Sequence, residues 1–196
     1  MEKRRGTAFN HDIIASMTPS FTPQQLHRLA NAIWCGYEDL CDSPTATSAD
    51  FNERCRQFIR EMESAAELHV FMSHYNWDDG EVPIHEVLKH PHCDRGTALF
   101  VYWLAADVFT VPRADEHPEY SLAMEIERRM LGDGFPSTQI RYDPSEHEHL
   151  VVRVKKVHPV PKIMTVATPG EPLDFDVNEL DDYGNPSKDD GPHWSS

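Results

Sequence analysis

The sequence predicts a mainly helical protein: a compact bundle of about six helices, a small C-terminal β hairpin or three-stranded patch, and a flexible acidic tail. Three observations predict it. Apolar residues recur at steps of three and four through most of residues 22–131. The periodic stretches are punctuated by helix-starting Thr, Ser, Asp and Pro and by helix-stopping Gly. Beyond residue 139 the pattern turns to β-branched residues in partial alternation, and after 169 it dissolves into Asp, Glu, Pro, Gly and Ser.

Residues 1–9 form a loose start, and a short helix is expected over 10–18 around Ile13, Ile14 and Met17. Thr22 caps the next helix, with Pro23 at its first turn, and Leu26, Leu29, Ala30, Ile33, Trp34, Tyr37 and Leu40 make one face as far as 41. A loop holds Pro44. A helix over 48–62 buries Phe51, Cys55, Phe58, Ile59 and Met62. Ser64 with Glu67 has capping-box spacing and opens a helix carrying Leu68, Phe71, Met72 and Tyr75. Asn76 to Gly80 breaks it. Pro83 starts a short helix with Ile84, Val87 and Leu88, and Pro91 closes it. Asp94 caps a helix over 95–109 that is apolar on most sides, the mark of a central element. Pro118 opens the last helix, which ends at Gly132. Strands are expected at 139–142, 150–157 and 163–167. A single domain over 10–168 with a tail over 169–196 follows.

The formal charge is −15, and about half of it lies beyond residue 169. Phosphate backbones and anionic membranes are disfavoured partners, while a basic protein is favoured. Aromatic residues make up 10% of the chain, more than disordered chains carry, so a packed core is expected. The residues after Met1 lead into no apolar run and no stretch is long enough to span a bilayer, so a cytoplasmic protein is expected. The four cysteines, Cys35, Cys41, Cys55 and Cys93, form no C-x-x-C pair and are expected to be reduced.

Two motifs stand out: Tyr75-Asn76-Trp77-Asp78-Asp79-Gly80 followed by Val82-Pro83-Ile84, and Cys93-Asp94-Arg95-Gly96-Thr97-Ala98-Leu99, continued by Tyr102-Trp103-Leu104-Ala105. Together they resemble the DUF4274 family of bacterial proteins over roughly residues 65–145. The resemblance implies a small helical module, often encoded where toxin-immunity genes are common. It implies no catalytic residues. Arg95 and Val108-Phe109 depart from the family pattern.

Each motif has two readings. In the first, Asp78 and Asp79 are a carboxylate pair for acid–base or metal chemistry, or the turn is a helix stop in which Asn76 and Gly80 shape the backbone. The spacing of a calcium loop is missing, and the helix stop is preferred. That leaves Trp77, Asp78, Asp79 and Glu81 as the candidate partner-binding surface. In the second, Cys93 is a nucleophile at a helix N-terminus, or a buried thiol beside the cap Asp94, with Gly96 and Thr97 serving helix packing; the latter is preferred. His90, His92, His147 and His149 lack standard zinc spacing, and no metal or cofactor is expected. Arg153, Lys155, Lys156 and Lys162 form the one basic run, read as solvated or paired with the protein's own acids.

The function expected is therefore non-catalytic: an immunity protein that binds a basic toxin and occludes its active site. The alternatives are an acidic adaptor working through its tail and, third, a hydrolase using Asp78, Asp79 or Cys93.

Overall fold

The computed structural model describes residues 19–34, 47–132 and 134–183, and it is mainly helical. Seven α-helices are described: α1 (Pro23–Trp34), α2 (Ser48–Arg60), α3 (Ala65–His74), α4 (Val82–Lys89), α5 (Arg95–Ala105), α6 (Pro118–Leu131) and α7 (Glu148–Val154). Two short strands, β1 (Ile140–Arg141) and β2 (Glu171–Pro172), complete the regular structure together with several 3₁₀ turns. The helix expected at 10–18 and the extension of α1 to 41 lie outside the described residues, as do Cys35 and Cys41.

Local chemistry accounts for the helix starts. The Thr22 hydroxyl accepts from the Gln25 backbone at 3.3 Å while the Gln25 side chain takes the Thr22 N–H at 2.9 Å. Thr47 and Asp50 make the same reciprocal pair before α2, and Ser64 accepts from the Glu67 N–H before α3. Each such cap is worth about 1 kcal/mol. Prolines in the first turns of α4 and α6 start them without side-chain caps.

The core is organised around α3 and α5. Seven of the ten residues of α3 are buried, from Ala65 to Met72, so it has no solvent face to speak of. On α5, Ala98, Leu99, Val101, Tyr102 and Trp103 are fully buried. At about 1.5–3 kcal/mol for each large apolar side chain, these residues and those of α3 make a large contribution to core stability. α1 and α2 pack on one side, α4 fills the angle between α2 and α3, and α6 lies along α5. One polar link joins the N-terminal helix to the core. Glu67, with no exposed surface, accepts from Arg28 Nε at 3.0 Å and Nη2 at 2.8 Å, while its other oxygen takes Gln25, the Glu63 N–H and the Ser64 hydroxyl.

The C-terminal third departs from expectation in three ways. Residues 148–154 form helix α7 rather than a strand, and residues 162–165 form a 3₁₀ turn, so neither a hairpin nor a three-stranded patch is present among the described residues. The only sheet described is the pair β1–β2, and it is parallel, with Ile140 opposite Glu171 and Arg141 opposite Pro172. Of the tail expected over 169–196, residues 184–196 lie outside the described residues, and the described part is not free of the core. Within 169–183 two residues anchor the chain: the 3₁₀ turn Val177–Tyr183 lies on α1 with Leu180 completely buried, and Phe175 meets Phe21 edge-to-face at 5.4 Å. Among the described residues no helix is long and apolar enough to cross a membrane.

Candidate functional site

α3 stops at His74 because the next residues turn the chain outward. Tyr75 is extended, and Asn76 Oδ1 accepts from the Asp78 N–H at 3.2 Å, tightening Trp77–Asp79 into one 3₁₀ turn. Gly80 then takes φ +103°, a region that costs any L side chain. A Cβ there would meet nothing within 4 Å, so backbone conformation and not crowding calls for glycine. The Tyr75 hydroxyl donates to the Gly80 carbonyl at 2.8 Å and closes the turn.

The turn holds two carboxylates in solvent. Asp78 and Asp79 are both exposed, and neither has an ion-pair partner among the described residues. Trp77 packs partly against the core beneath them. Its indole N–H and one oxygen of Glu81 are buried without hydrogen-bond partners among the described residues. The Glu81 carboxylate lies 3.8 Å from His85 Nε2.

The second motif is the opposite case. Asp94 is the N-cap of α5 and is wholly buried. Its Oδ1 accepts from the Gly96 N–H at 2.7 Å, and its Oδ2 accepts from the Ser137 hydroxyl at 2.7 Å and the Gln139 N–H at 2.6 Å. Arg95 N–H donates to the Ser137 carbonyl at 3.0 Å. One side chain therefore caps the helix and fastens the 137–139 loop to it. Gly96 lets the two backbones meet, since a Cβ would lie 2.3 Å from the Ile140 carbonyl oxygen. Thr97 Oγ1 lies 3.1 Å from His69 Nδ1. Burial pushes the His69 pKa down to about 4, against a weaker opposing pull from Asp94.

Cys93 is 2% exposed, and burial pushes its thiol up to about 12, with Asp94 adding to the shift and Arg129 opposing it. A thiol in that state is not a nucleophile at neutral pH. Asp78 and Asp79 precede α4 while Cys93 follows it, and no hydrogen bond joins them. The His90 ring accepts the His92 N–H at 3.1 Å on Nδ1, and burial lowers its pKa. His147 ends a 3₁₀ turn and His149 lies in the first turn of α7. Among the described residues no group of three or more His, Cys, Asp or Glu is placed to hold a metal ion.

Two features had no signal in local sequence. Glu127, on α6, accepts from the Tyr102 hydroxyl at 2.6 Å and lies 2.7 Å from His158 Nε2; its partners are 25 and 31 residues away. An open cleft of about 490 Å³ lies where the α2–α3 and α4–α5 connections meet α1. Arg28 and Arg60 on its wall are already paired, Arg28 with Glu63 and Glu67 and Arg60 with Glu86, so neither guanidinium is left free for an anionic ligand.

No curated protein and no solved structure matches the chain. One family model does, over residues 63–131, from just before the Ser64 cap to the last residue of α6. The segment α3–α6, which carries both motifs, is thus a DUF4274 domain, a domain of unknown function.

Proposed function

We propose that this is a non-catalytic binding protein that neutralises a basic protein partner by covering its functional cleft, in the manner of an immunity protein facing a bacterial toxin in the cytoplasm. The observation that carries the reading is the Asn76–Gly80 turn. It holds Asp78 and Asp79 in solvent, without an ion-pair partner among the described residues, on a backbone already fixed by the Asn76 and Tyr75 hydrogen bonds. A preformed anionic loop loses little freedom on binding and steers a cationic partner toward it. Trp77 beside it supplies an aromatic surface of the kind that anchors interfaces. The net charge of −15 works in the same direction at longer range. The buried thiol of Cys93, its pKa pushed up to about 12, weighs against the hydrolase reading. An adaptor acting through the acidic tail is less favoured, because residues 171–183 are engaged with β1 and α1.

The test is co-purification with the product of the neighbouring upstream gene, using the wild-type chain and Asp78→Lys/Asp79→Lys. A stoichiometric wild-type complex is expected, weakened about 100-fold or more by the double reversal, while the thermal midpoint of the variant stays unchanged. No complex, or a complex indifferent to the reversal, overturns the proposal.

A further inference from the structure

The charge of this chain is unevenly spread, and one stretch reverses its sign. Residues 149–170 contain no Asp or Glu in a chain that carries 33, and they hold Arg153, Lys155, Lys156 and Lys162. Of the described lysines only Lys89 lies elsewhere. Arg153 pairs with Asp107, but the ammonium groups of the three lysines have no ion-pair or hydrogen-bond partner among the described residues. Of the basic run, then, Arg153 is tied to the protein's own acids and the lysines are not.

Exposed apolar side chains gather on the same stretch. Val152, Val157 and Val166 are 50%, 62% and 51% exposed. Lys155, Lys156 and Lys162 are exposed with them. The backbone stays helical just past α7, with Lys155 N–H bonded to the Val151 carbonyl and Lys156 N–H to the Arg153 carbonyl. Val152 therefore lies one turn from Lys155 and Lys156, on the same face. Beneath that surface the stretch is fixed to the core. Leu150, Val154 and Met164 are buried, the Trp103 indole donates to the Met164 carbonyl at 2.8 Å, and the His158 ring lies against Phe109 and Glu127. A surface held in place from below loses little freedom when something binds to it.

We propose that residues 152–166 are a second interaction surface, whose partner is a short acidic segment of another protein with apolar side chains between its carboxylates. Unpaired ammonium groups call for carboxylates, and half-exposed valines call for apolar contacts beside them. The island is small: exposed Glu146 and Glu148 precede it, and exposed Glu171 follows it. Screening confines the attraction to about 8 Å at physiological salt, so a segment that stays within the island gains from the lysines without meeting the acids around it. A phosphate backbone or an anionic membrane extends past the island and meets the rest of a chain of net charge −15. This surface differs from the Asn76–Gly80 turn in its residues and in the sign of its partner, so the failure of one assignment leaves the other standing.

An NMR titration of the isotope-labelled full chain tests the proposal. The probes are a short synthetic peptide of alternating Glu and Val, its counterpart of alternating Glu and Ser, and vesicles of phosphatidylserine and phosphatidylcholine. The Glu–Val peptide is expected to give saturable shifts confined to the amides of residues 150–168, and to bind about 10-fold more tightly than the Glu–Ser peptide. Lys155→Glu/Lys156→Glu/Lys162→Glu changes three exposed positions and is expected to weaken binding about 10-fold or more, with the thermal midpoint unchanged. High salt is expected to weaken wild-type binding in the same direction, and that measurement decides alone if the reversal variant does not fold. The absence of a saturable shift, shifts centred elsewhere, or an affinity indifferent to both reversal and salt overturns the proposal. Equal affinity for the two peptides reduces the island to solvated charge and overturns it too. Binding to the vesicles but not to the peptide gives the face to a membrane, which also overturns it.

Discussion

The two acidic motifs of the DUF4274 segment use the same residue types to opposite ends. At Asn76–Gly80 the carboxylates of Asp78 and Asp79 stand in water, and the turn is shaped by Asn76, Tyr75 and Gly80. At Cys93–Thr97 the carboxylate of Asp94 is sealed from water and spends its lone pairs on three donors from two parts of the chain. The contrast teaches that an aspartate beside a helix end has no fixed role. Where a second segment closes over it, as the 137–139 loop does over Asp94, it becomes a joint. Where no described segment closes over it, as at Asp78 and Asp79, it stands as a solvent-exposed charge.

The sharpest way to break the joint is Asp94→Ala. Three donors, the buried Gly96 N–H among them, lose their acceptor at once, and the expected loss is about 3 kcal/mol in a urea titration. Next in size is a pH effect beneath the same cap. His69 is buried and neutral, with its pKa pushed from 6.5 down to about 4, so the unfolded chain takes up the proton first as the solution is acidified. The stability tied to this group is intact above about pH 6.5 and declines from there toward about pH 4, by on the order of 3 kcal/mol. His69→Gln is expected to flatten that part of the urea-midpoint profile. Gly96→Ala presses a methyl group into the Ile140 carbonyl, and an expected cost of about 2 kcal/mol follows from overpacking against backbone. Gly80→Ala, on the exposed motif, meets no neighbour and pays only for its positive φ, about 1 kcal/mol by thermal or chemical denaturation. A Gly80 cost larger than that of Gly96 would reverse the contrast between the two motifs.

Legibility followed sequence distance. The caps Thr22, Ser64 and Asp94, the helix-opening Pro83 and Pro118, and the stop at Gly80 act within a turn of their own position, and each was readable from its neighbours. The helix α7 was misread as a strand because Val151, Val152 and Val154 carry β-branched side chains, a weak local preference. Leu150 and Val154 override it by packing toward the 3₁₀ turn Ala106–Thr110, about 40 residues upstream in order of magnitude. The packed stretch 171–183 was misread as free tail for a related reason. Its composition is polar, and its order depends on Phe175 and Leu180 finding Phe21 and α1.

What the sequence by itself determined is the helical class, most of the helix boundaries from 47 to 131, and the turn that exposes Asp78 and Asp79, because caps, prolines, glycines and 3.6-residue periodicity are local physics. Tertiary structure alone decided that Asp94 would bind the 137–139 loop, that Ile140 would pair in parallel with Glu171, and that Glu127 would join Tyr102 to His158. Those contacts lie about 25 to 45 residues apart, and a buried polar group takes its partner from whatever segment the packed core brings within reach of it.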